Sequence, residues 1–218
     1  MRLLIIMLFS AFFNFSALAA TTEWELDKEE EDIQLKIYTR EIEGSSLKEF
    51  KGEMLVETKL STLVALLLDD KAAPQWMHQC EKFEVLEHAN EQEAIVYFVN
   101  GAPWPVSDRD AVVASEVTQD PETLVVTFKL AALNDYLPEN DDYVRIPRMK
   151  GFWSFTPMAE GKVLVRYQIH AEPGGSLPAW LANTVVVDTP YNTMSNMLKM
   201  LKLEKYQQAE VSFIKNRD

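Results

Sequence analysis

Residues 172–201 read EPGGSLPAWLANTVVVDTPYNTMSNMLKML, and this stretch decides how the rest of the chain must fold. Pro173-Gly174-Gly175 ends a β-rich region, and an apolar stripe follows at alternating spacings of four and three residues. Such spacing places side chains along one side of a helix. Because that side must be covered, we expect a curved sheet, built from the strands that precede it, to pack against the helix. The stripe consists of Trp180, Thr184, Val187, Tyr191, Met194, Leu198 and Leu201.

The region before this stretch alternates apolar and polar residues in the manner of β-strands. Ile33–Arg40 and Phe50–Glu57 are predicted to form a first hairpin. Two short helices follow, one capped by Ser61 over residues 63–68 and one opened by Pro74. Six further strands are then predicted: Phe83–Glu87, Ala94–Val99, Asp110–Thr118, Thr123–Leu130, Lys150–Thr156 and Val163–His170.

The order of these elements predicts an α+β fold with the helices gathered at one side of an antiparallel sheet. Several strands are apolar on both faces, as in Ile95–Val99, so parts of the sheet are predicted to be covered on both sides or sharply bent. Pro190 lies inside the long helix, which we therefore expect to kink or to divide into two segments.

The first residues resemble an export signal. Arg2 supplies the positive end, Leu3–Phe15 the apolar core, and Ala17-Leu18-Ala19 a small-x-small cleavage site. A membrane-spanning helix needs about 20 apolar residues, and this run is shorter. We therefore predict a signal peptide over residues 1–19 and export of a single domain over residues 20–218. Retention of the segment as an uncleaved anchor is the alternative.

The charge and the cysteine content exclude several classes of protein. The net charge of −13 repels phosphate backbones, so nucleic acid is not an expected partner. Cys80 is the single cysteine, so no internal disulfide can form. The sequence contains no recognisable metal motif, phosphate-binding loop or nucleophile elbow. No metal, cofactor or catalytic residue is therefore predicted.

Four segments carry a resemblance to a known family. They are Trp24 with Ile37-Tyr38-Thr39-Arg40; Trp104-Pro105-Val106-Ser107-Asp108-Arg109-Asp110; Gly151-Phe152-Trp153-Ser154-Phe155-Thr156-Pro157; and Glu172 to Asn183. In this order they resemble the START family, the steroidogenic acute regulatory related lipid-transfer domains. The resemblance covers nearly all of residues 20–218. An export signal ahead of a lone domain resembles the exported bacterial members, which implies a periplasmic location in a Gram-negative cell.

The resemblance implies a helix-grip fold, in which a curved antiparallel sheet wraps around a long C-terminal helix. It also implies a hydrophobic tunnel between the two that holds one lipid or other apolar molecule. Members of the family carry cargo without chemistry, so the expected partner is a hydrophobic small molecule, with transient membrane contact during its transfer. Sterol, phospholipid and fatty acid all stay open. Two alternatives are an enzyme of cyclase or hydrolase type, as in related helix-grip proteins, and a structural module with a solid core.

The side chains expected to contact the ligand come from the strands and from the helix stripe. For each of them ordinary core packing is the alternative, because periodicity alone does not distinguish a filled core from a lined tunnel. They are Tyr97, Trp153 and Tyr167 on strands, and Trp180, Thr184, Val187, Tyr191, Met194 and Leu198 on the helix.

Two further pairs of residues are candidates for special roles. Arg109 and Asp110 begin a strand. They are predicted to anchor a polar head group or, alternatively, to pair with each other's neighbours and form hydrogen bonds with the adjoining loop. Gly174 and Gly175 allow backbone angles that other residues avoid, so they provide either a hinge for the long helix or a tight, immobile connection.

Overall fold

The computed structural model describes residues 22–45, 47–177 and 179–217, apart from the side chains of Ala179, Trp180, Ala182 and Asn183. The predicted signal peptide therefore lies outside the described residues, as does the side chain of Trp180. Within the described ranges, ten strands form one sheet. They are β1 (Glu25–Glu30), β2 (Leu35–Arg40), β3 (Glu49–Glu57), β4 (Cys80–His88), β5 (Glu93–Asn100), β6 (Arg109–Gln119), β7 (Val126–Ala132), β8 (Val144–Arg145), β9 (Arg148–Pro157) and β10 (Lys162–Glu172).

The sheet is antiparallel along its whole main path. Its neighbours follow the order β1-β2-β3-β10-β9-β7-β6-β5-β4, and the short β8 lies beside β6 in parallel. Most neighbours are consecutive in the chain, but the pairing of β3 with β10 brings the first hairpin against the last strand. The sheet curves as predicted, and its strands alternate between buried and accessible residues.

Four helices complete the described part of the chain: α1 (Leu60–Leu68), α2 (Ala73–Trp76), α3 (Ala179–Met200) and α4 (Glu204–Gln207). The long helix α3 continues through Pro190, so the predicted division into two segments is not found. Ser61 does not cap α1, because the helix already begins at Leu60. Instead the N–H of Ser61 donates to the side-chain oxygen of Asn216 at 3.0 Å, which ties the helix start to the C-terminal tail.

The largest core lies where α3 and α1 pack against the sheet. Met194 and Met197 of α3 are fully buried there, as are Leu35 and Met54 of β2 and β3. A close approach occurs at Gly52, because a Cβ atom at that position would collide with the sulfur of Met194. Helix α3 can therefore pack this closely on the sheet only because glycine has no side chain at position 52. Among the described residues, no helix has the length and apolar character that a bilayer crossing requires.

Candidate functional site

A mainly apolar pocket of about 260 Å³ lies between the inner face of the sheet and α3. This volume is just below the roughly 300–1,000 Å³ of pockets that bind small molecules. Its walls come from strands β3–β7, β9 and β10, the loop after β5, the segment around α2 and one row of α3. The apolar wall includes Phe83, Val85, Val96, Phe98, Val113, Leu130, Met149 and Ile169.

The helix row that faces the pocket is not the stripe predicted from the sequence. Leu181, Val185, Thr189 and Thr193 line the pocket, four residues apart. The predicted stripe lies roughly 160° away around the helix at 3.6 residues per turn. A large apolar stripe therefore marks where the helix meets the solid core, whereas the pocket row includes two threonines and carries a weaker apolar signal.

Each described residue of the predicted stripe lies away from the pocket lining. Met194 fills the space above Gly52, and Val187, Tyr191 and Leu198 pack against the main core. The hydroxyl of Tyr191 also donates to a carboxylate oxygen of Glu30 at 3.3 Å. Thr184 is exposed. The positions of Val187, Tyr191, Met194 and Leu198 agree with core packing, the alternative to ligand contact, whereas that of Thr184 fits neither.

The predicted strand aromatics divide between the two faces of the sheet. Trp153 and Tyr167 both line the pocket and stack face to face, with 3.8 Å between ring centroids and 9° between the planes. Phe50 packs edge-on against Tyr167, with 5.1 Å between ring centroids, and Trp76 packs edge-on against Trp153, with 6.0 Å between ring centroids. These contacts extend the aromatic cluster. Burial raises the pKa of the Tyr167 hydroxyl, which therefore stays protonated. The wall presents flat apolar surfaces and one neutral hydroxyl to the pocket.

Tyr97 lies on the opposite face of the sheet, outside the pocket lining. Its hydroxyl donates to Oδ2 of Asp110 at 3.1 Å, and its ring packs with Val99 and Val112. Burial raises the pKa of Tyr97 to about 12, with the charge of Asp110 as the second cause. The side chain is therefore part of a buried polar cluster on the outer face.

Asp110 is the centre of that outer cluster and has no role in the pocket lining. Its carboxylate accepts from Nε of Arg145 at 2.8 Å and from Nη2 of the same side chain at 2.9 Å. Arg145 also donates to the backbone oxygens of Leu137 and Pro138 at 3.1 and 3.2 Å. Asp110 thus pairs with Arg145 and through it binds the neighbouring loop. This agrees with the alternative to a ligand anchor given for Asp110 above.

Arg109 points the other way, into the pocket wall, because successive residues of a strand face opposite sides. It is 8% exposed, and among the described lining residues it is the one Lys or Arg. Its Nη1 donates to the backbone oxygen of Ser107, whereas Nε is buried without an acceptor in the described part of the chain. Burial lowers the pKa of Arg109, and the charge of Asp108 opposes that shift.

The remaining titratable groups of the lining are Asp70, His78, Cys80 and His88. Burial lowers the pKa of the His78 imidazole, with the charge of Asp188 acting against it. Burial raises the pKa of Cys80 to about 11, so it is a thiol rather than a reactive thiolate at neutral pH. In the ranges that the structure covers, no group of three or more His, Cys, Asp or Glu could hold a metal ion.

Comparison with known proteins identifies the family. A family model described as the START domain matches residues 13–207. The chain belongs to the START domain family. This START domain is 33% identical over 188 residues to an uncharacterised protein of Pseudomonas aeruginosa, covering 86% of the chain and 91% of that protein. Over 183 residues it is 24% identical to the phosphatidylcholine transfer protein of Mus musculus, covering 81% and 83% respectively.

A solved structure confirms the fold. The STAR-related lipid transfer protein of Xanthomonas axonopodis matches this START domain with a TM-score of 0.75 and 41% sequence identity. The match covers 83% of this chain and 99% of that one. The predicted helix-grip fold, a curved antiparallel sheet with a long C-terminal helix, is thereby confirmed.

The link from β10 to α3 of this START domain is tightly packed. Gly174 and Gly175 both adopt left-handed backbone angles, with φ of 66° and 58°. A Cβ atom at Gly174 would lie 2.5 Å from the backbone oxygen of Arg145, so no other residue fits there without a shift. This geometry accounts for both glycines as a tight connection, and a hinge at this point stays a prediction.

A second depression, of about 660 Å³, lies at the opposite end of α3. It is larger than the pocket but more polar and more open, and charged side chains such as Glu57, Lys59, Lys162 and Lys202 surround it. Its residues bring together no aromatic wall and no buried unpaired charge. The pocket is therefore the better candidate for a hydrophobic ligand.

Sequence reasoning missed most of the apolar wall, although one signal pointed to it. Val96 and Phe98 line the pocket, while Tyr97 and Val99 on the other face of β5 are covered by the segment that includes Leu133. The run Ile95–Val99 is apolar on both faces for this reason. Covered strands of this kind indicate where the pocket wall lies, but they do not show which face encloses it.

Proposed function

We propose that this START domain binds one hydrophobic molecule in the pocket between the sheet and α3 and carries it between membranes. The observation that carries the proposal is the pocket itself, an apolar space with an aromatic wall and a single buried guanidinium. The names of two relatives, a lipid transfer protein and a phosphatidylcholine transfer protein, support it.

The size of the pocket limits the cargo. Each buried methylene contributes about 0.8 kcal/mol, whereas association costs roughly 4–15 kcal/mol. Tight binding therefore requires a ligand with many buried carbons. Since the pocket holds about 260 Å³, a molecule larger than one hydrocarbon chain must displace side chains or move part of the wall. We expect single-chain amphiphiles to fit with the least rearrangement.

The rim of the pocket supports contact with a membrane. Trp104 is 91% exposed, in the loop after β5 whose residues Gly101, Ala102 and Pro103 line the pocket. Leu68, at the end of α1, both lines the pocket and is exposed. Tryptophan prefers the boundary between lipid and water. This rim is the proposed point at which cargo enters and leaves.

Two further parts of the proposal concern chemistry and location. The protein is proposed to leave its cargo unchanged: no hydrogen bond or ion pair joins the side chains of Asp70, His78 and His88 within the described lining. The proposed periplasmic location depends on the export signal of residues 1–19 and on the resemblance to exported bacterial members. An enzyme of cyclase or hydrolase type is the competing activity, and the recovered ligand discriminates between the two.

Native mass spectrometry of the full-length protein, expressed with its own leader and purified from periplasm, tests the proposal. We expect a co-purifying hydrophobic molecule, and binding of fatty acids or phospholipids from a defined panel with their masses unchanged after incubation. Val185→Trp, which places an indole in the pocket row, should abolish binding. Lys199→Trp, which adds the same side chain at an exposed position of α3, should not. Absence of any bound or panel ligand in the wild type would refute the proposal.

A further inference from the structure

We propose that Arg109 binds an oxyanion, the carboxylate or phosphate of the ligand's head group, so that the pocket selects amphiphiles with a negative charge. The inference rests on the proposed function, because it requires a hydrophobic ligand in the same pocket. It adds the chemical class of that ligand and the orientation in which it is held.

Arg109 has unused hydrogen-bonding capacity. A guanidinium carries five N–H donors and stays charged at all physiological pH values. In the described part of the chain, its only acceptor is the backbone oxygen of Ser107, and the buried Nε has none. A buried charge without a counterion is strongly disfavoured. The site is thus incomplete without an added acceptor.

The carboxylates near Arg109 are already engaged or too distant to pair with it. Asp110 is paired with Arg145 on the opposite face. Oδ1 of Asp108 accepts from the N–H of Ala102 at 2.8 Å, which turns that carboxylate toward the loop. Asp70 lines the pocket but, like every other described carboxylate, lies more than 4.0 Å from the Arg109 guanidinium. None of the described carboxylates therefore serves as the counterion of Arg109.

The pocket around Arg109 has a shape that suits a chain with a charged head. Val113 and Ser115 follow Arg109 on the same face of β6 at even spacing, and Val96 and Phe98 lie beside them on β5. A ligand held by its head at Arg109 can therefore lay its chain along β6 against apolar side chains. Arginine suits this role because its planar fork matches a carboxylate or phosphate with two parallel hydrogen bonds.

The test compares ligands that share one chain and differ in the head. Palmitate, monohexadecyl phosphate, hexadecan-1-ol and hexadecylamine are titrated below their aggregation concentrations against the delipidated, full-length wild type, by displacement of a neutral fluorescent probe. Palmitate, monohexadecyl phosphate or both should bind roughly 10- to 100-fold more tightly than hexadecan-1-ol, the factor expected for a hydrogen bond to a charged group. The stronger of the two anions then shows whether the natural head is a carboxylate or a phosphate.

Three variants connect that preference with Arg109. Arg109→Gln should remove it while leaving the affinity for hexadecan-1-ol within about threefold, and Arg109→Lys should restore part of it. Arg148→Gln removes an exposed arginine that pairs with Glu172 outside the pocket lining, and it should keep the full preference. Without ligand, Arg109→Gln should unfold at a temperature no lower than the wild type, because it removes an uncompensated buried charge.

The outcomes separate this inference from the function on which it rests. Equal affinity of the wild type for all four probes would overturn the inference and leave hydrophobic binding intact, and so would an unchanged preference in Arg109→Gln. If none of the probes bound to the wild type, both would fail. The head-group comparison needs only the wild type, so it decides the matter even if Arg109→Gln does not fold.

Discussion

The carboxylate of Asp110 and the guanidinium of Arg145 form a two-point ion pair, with 2.8 Å from Nε to Oδ1 and 2.9 Å from Nη2 to Oδ2. The two side chains are 1% and 5% exposed. Because Arg145 also binds the carbonyls of Leu137 and Pro138, the pair joins β6 to the segment that covers the outer face of the sheet. It is a structural element, distinct from the unpaired Arg109 on the inner face.

Removing one member of this pair should strongly destabilise the fold. Asp110→Asn leaves the buried Arg145 without its counterion, and we expect the free energy of unfolding to fall by about 3–5 kcal/mol. Glu172→Gln, which breaks the exposed pair with Arg148, should change it by about 0–1 kcal/mol. Urea denaturation of both variants is the measurement. Similar losses in the two would contradict the structural role of Asp110.

The contact between Met194 and Gly52 should behave as one unit. Met194→Ala should lower the free energy of unfolding by about 2–5 kcal/mol, since the side chain is fully buried. Gly52→Ala should also destabilise, because the added methyl collides with the Met194 sulfur. In the double variant the collision is gone, so its loss should be clearly smaller than the combined losses of the single variants. Additive losses in this double-mutant cycle would show that the two sites are independent.

Protonation of His78 should destabilise the folded protein. Burial lowers the pKa of its imidazole, so as the pH falls the unfolded chain takes up the proton first. The free energy of unfolding should therefore decrease below about pH 6.5, the ordinary pKa of histidine. His78→Gln, which retains the backbone hydrogen bond to Thr193, should lose less stability between about pH 7 and pH 5. His88→Gln, at an exposed position, serves as the control, and parallel curves for His78→Gln and the wild type would contradict the prediction.

The two halves of α3 should differ in mobility. Beyond Pro190, Met194 and Met197 are fully buried in the core, whereas before it Leu181, Val185 and Thr189 face the pocket. If Gly174 and Gly175 act as a hinge, backbone amides before Pro190 should exchange hydrogen faster than those after it and slow down when ligand binds. Hydrogen exchange with mass spectrometry measures this. Uniform protection with and without ligand would leave the two glycines as a tight connection only.

Trp104 should mediate binding to lipid vesicles. Trp104→Ser is expected to weaken association with neutral phosphatidylcholine vesicles several-fold, because an exposed indole inserts at the lipid boundary. Neutral lipid avoids repulsion from the net charge of −13. Met158→Ser removes an exposed apolar side chain beside the second depression and should have little effect. Flotation with vesicles checks both variants, and an equal loss in the two would exclude a specific role for the rim.

Most strands could be predicted from alternation, and the exceptions have physical causes. β1 consists of Glu25–Glu30, an acidic edge strand whose side chains are mostly accessible, so no apolar alternation marks it. β8 has two residues, too few for any periodicity to appear. Long half-buried strands such as β2 and β3 carry their pattern in the sequence because every second side chain meets the core.

The site was predictable only in part, because a pocket and a core attract the same kinds of residue. Trp153 and Tyr167 were identified from the strands and do line the pocket. On α3 the strongest apolar stripe belongs to the core, and the pocket row with Thr189 and Thr193 gave no comparable signal. Nothing in the sequence alone distinguishes the inward side chain of Arg109 from the outward side chain of Asp110.

The alternation of Arg109 and Asp110 along β6 has a consequence for the electrical character of the interior. Because side chains of a strand repeat every two residues, a slip of β6 by one position would exchange the two and place a carboxylate where the guanidinium now lies. Arg145 opposes that slip by holding Asp110 on the far side. The ion pair on the outer face of the sheet thereby keeps a positive charge, rather than a negative one, in the pocket.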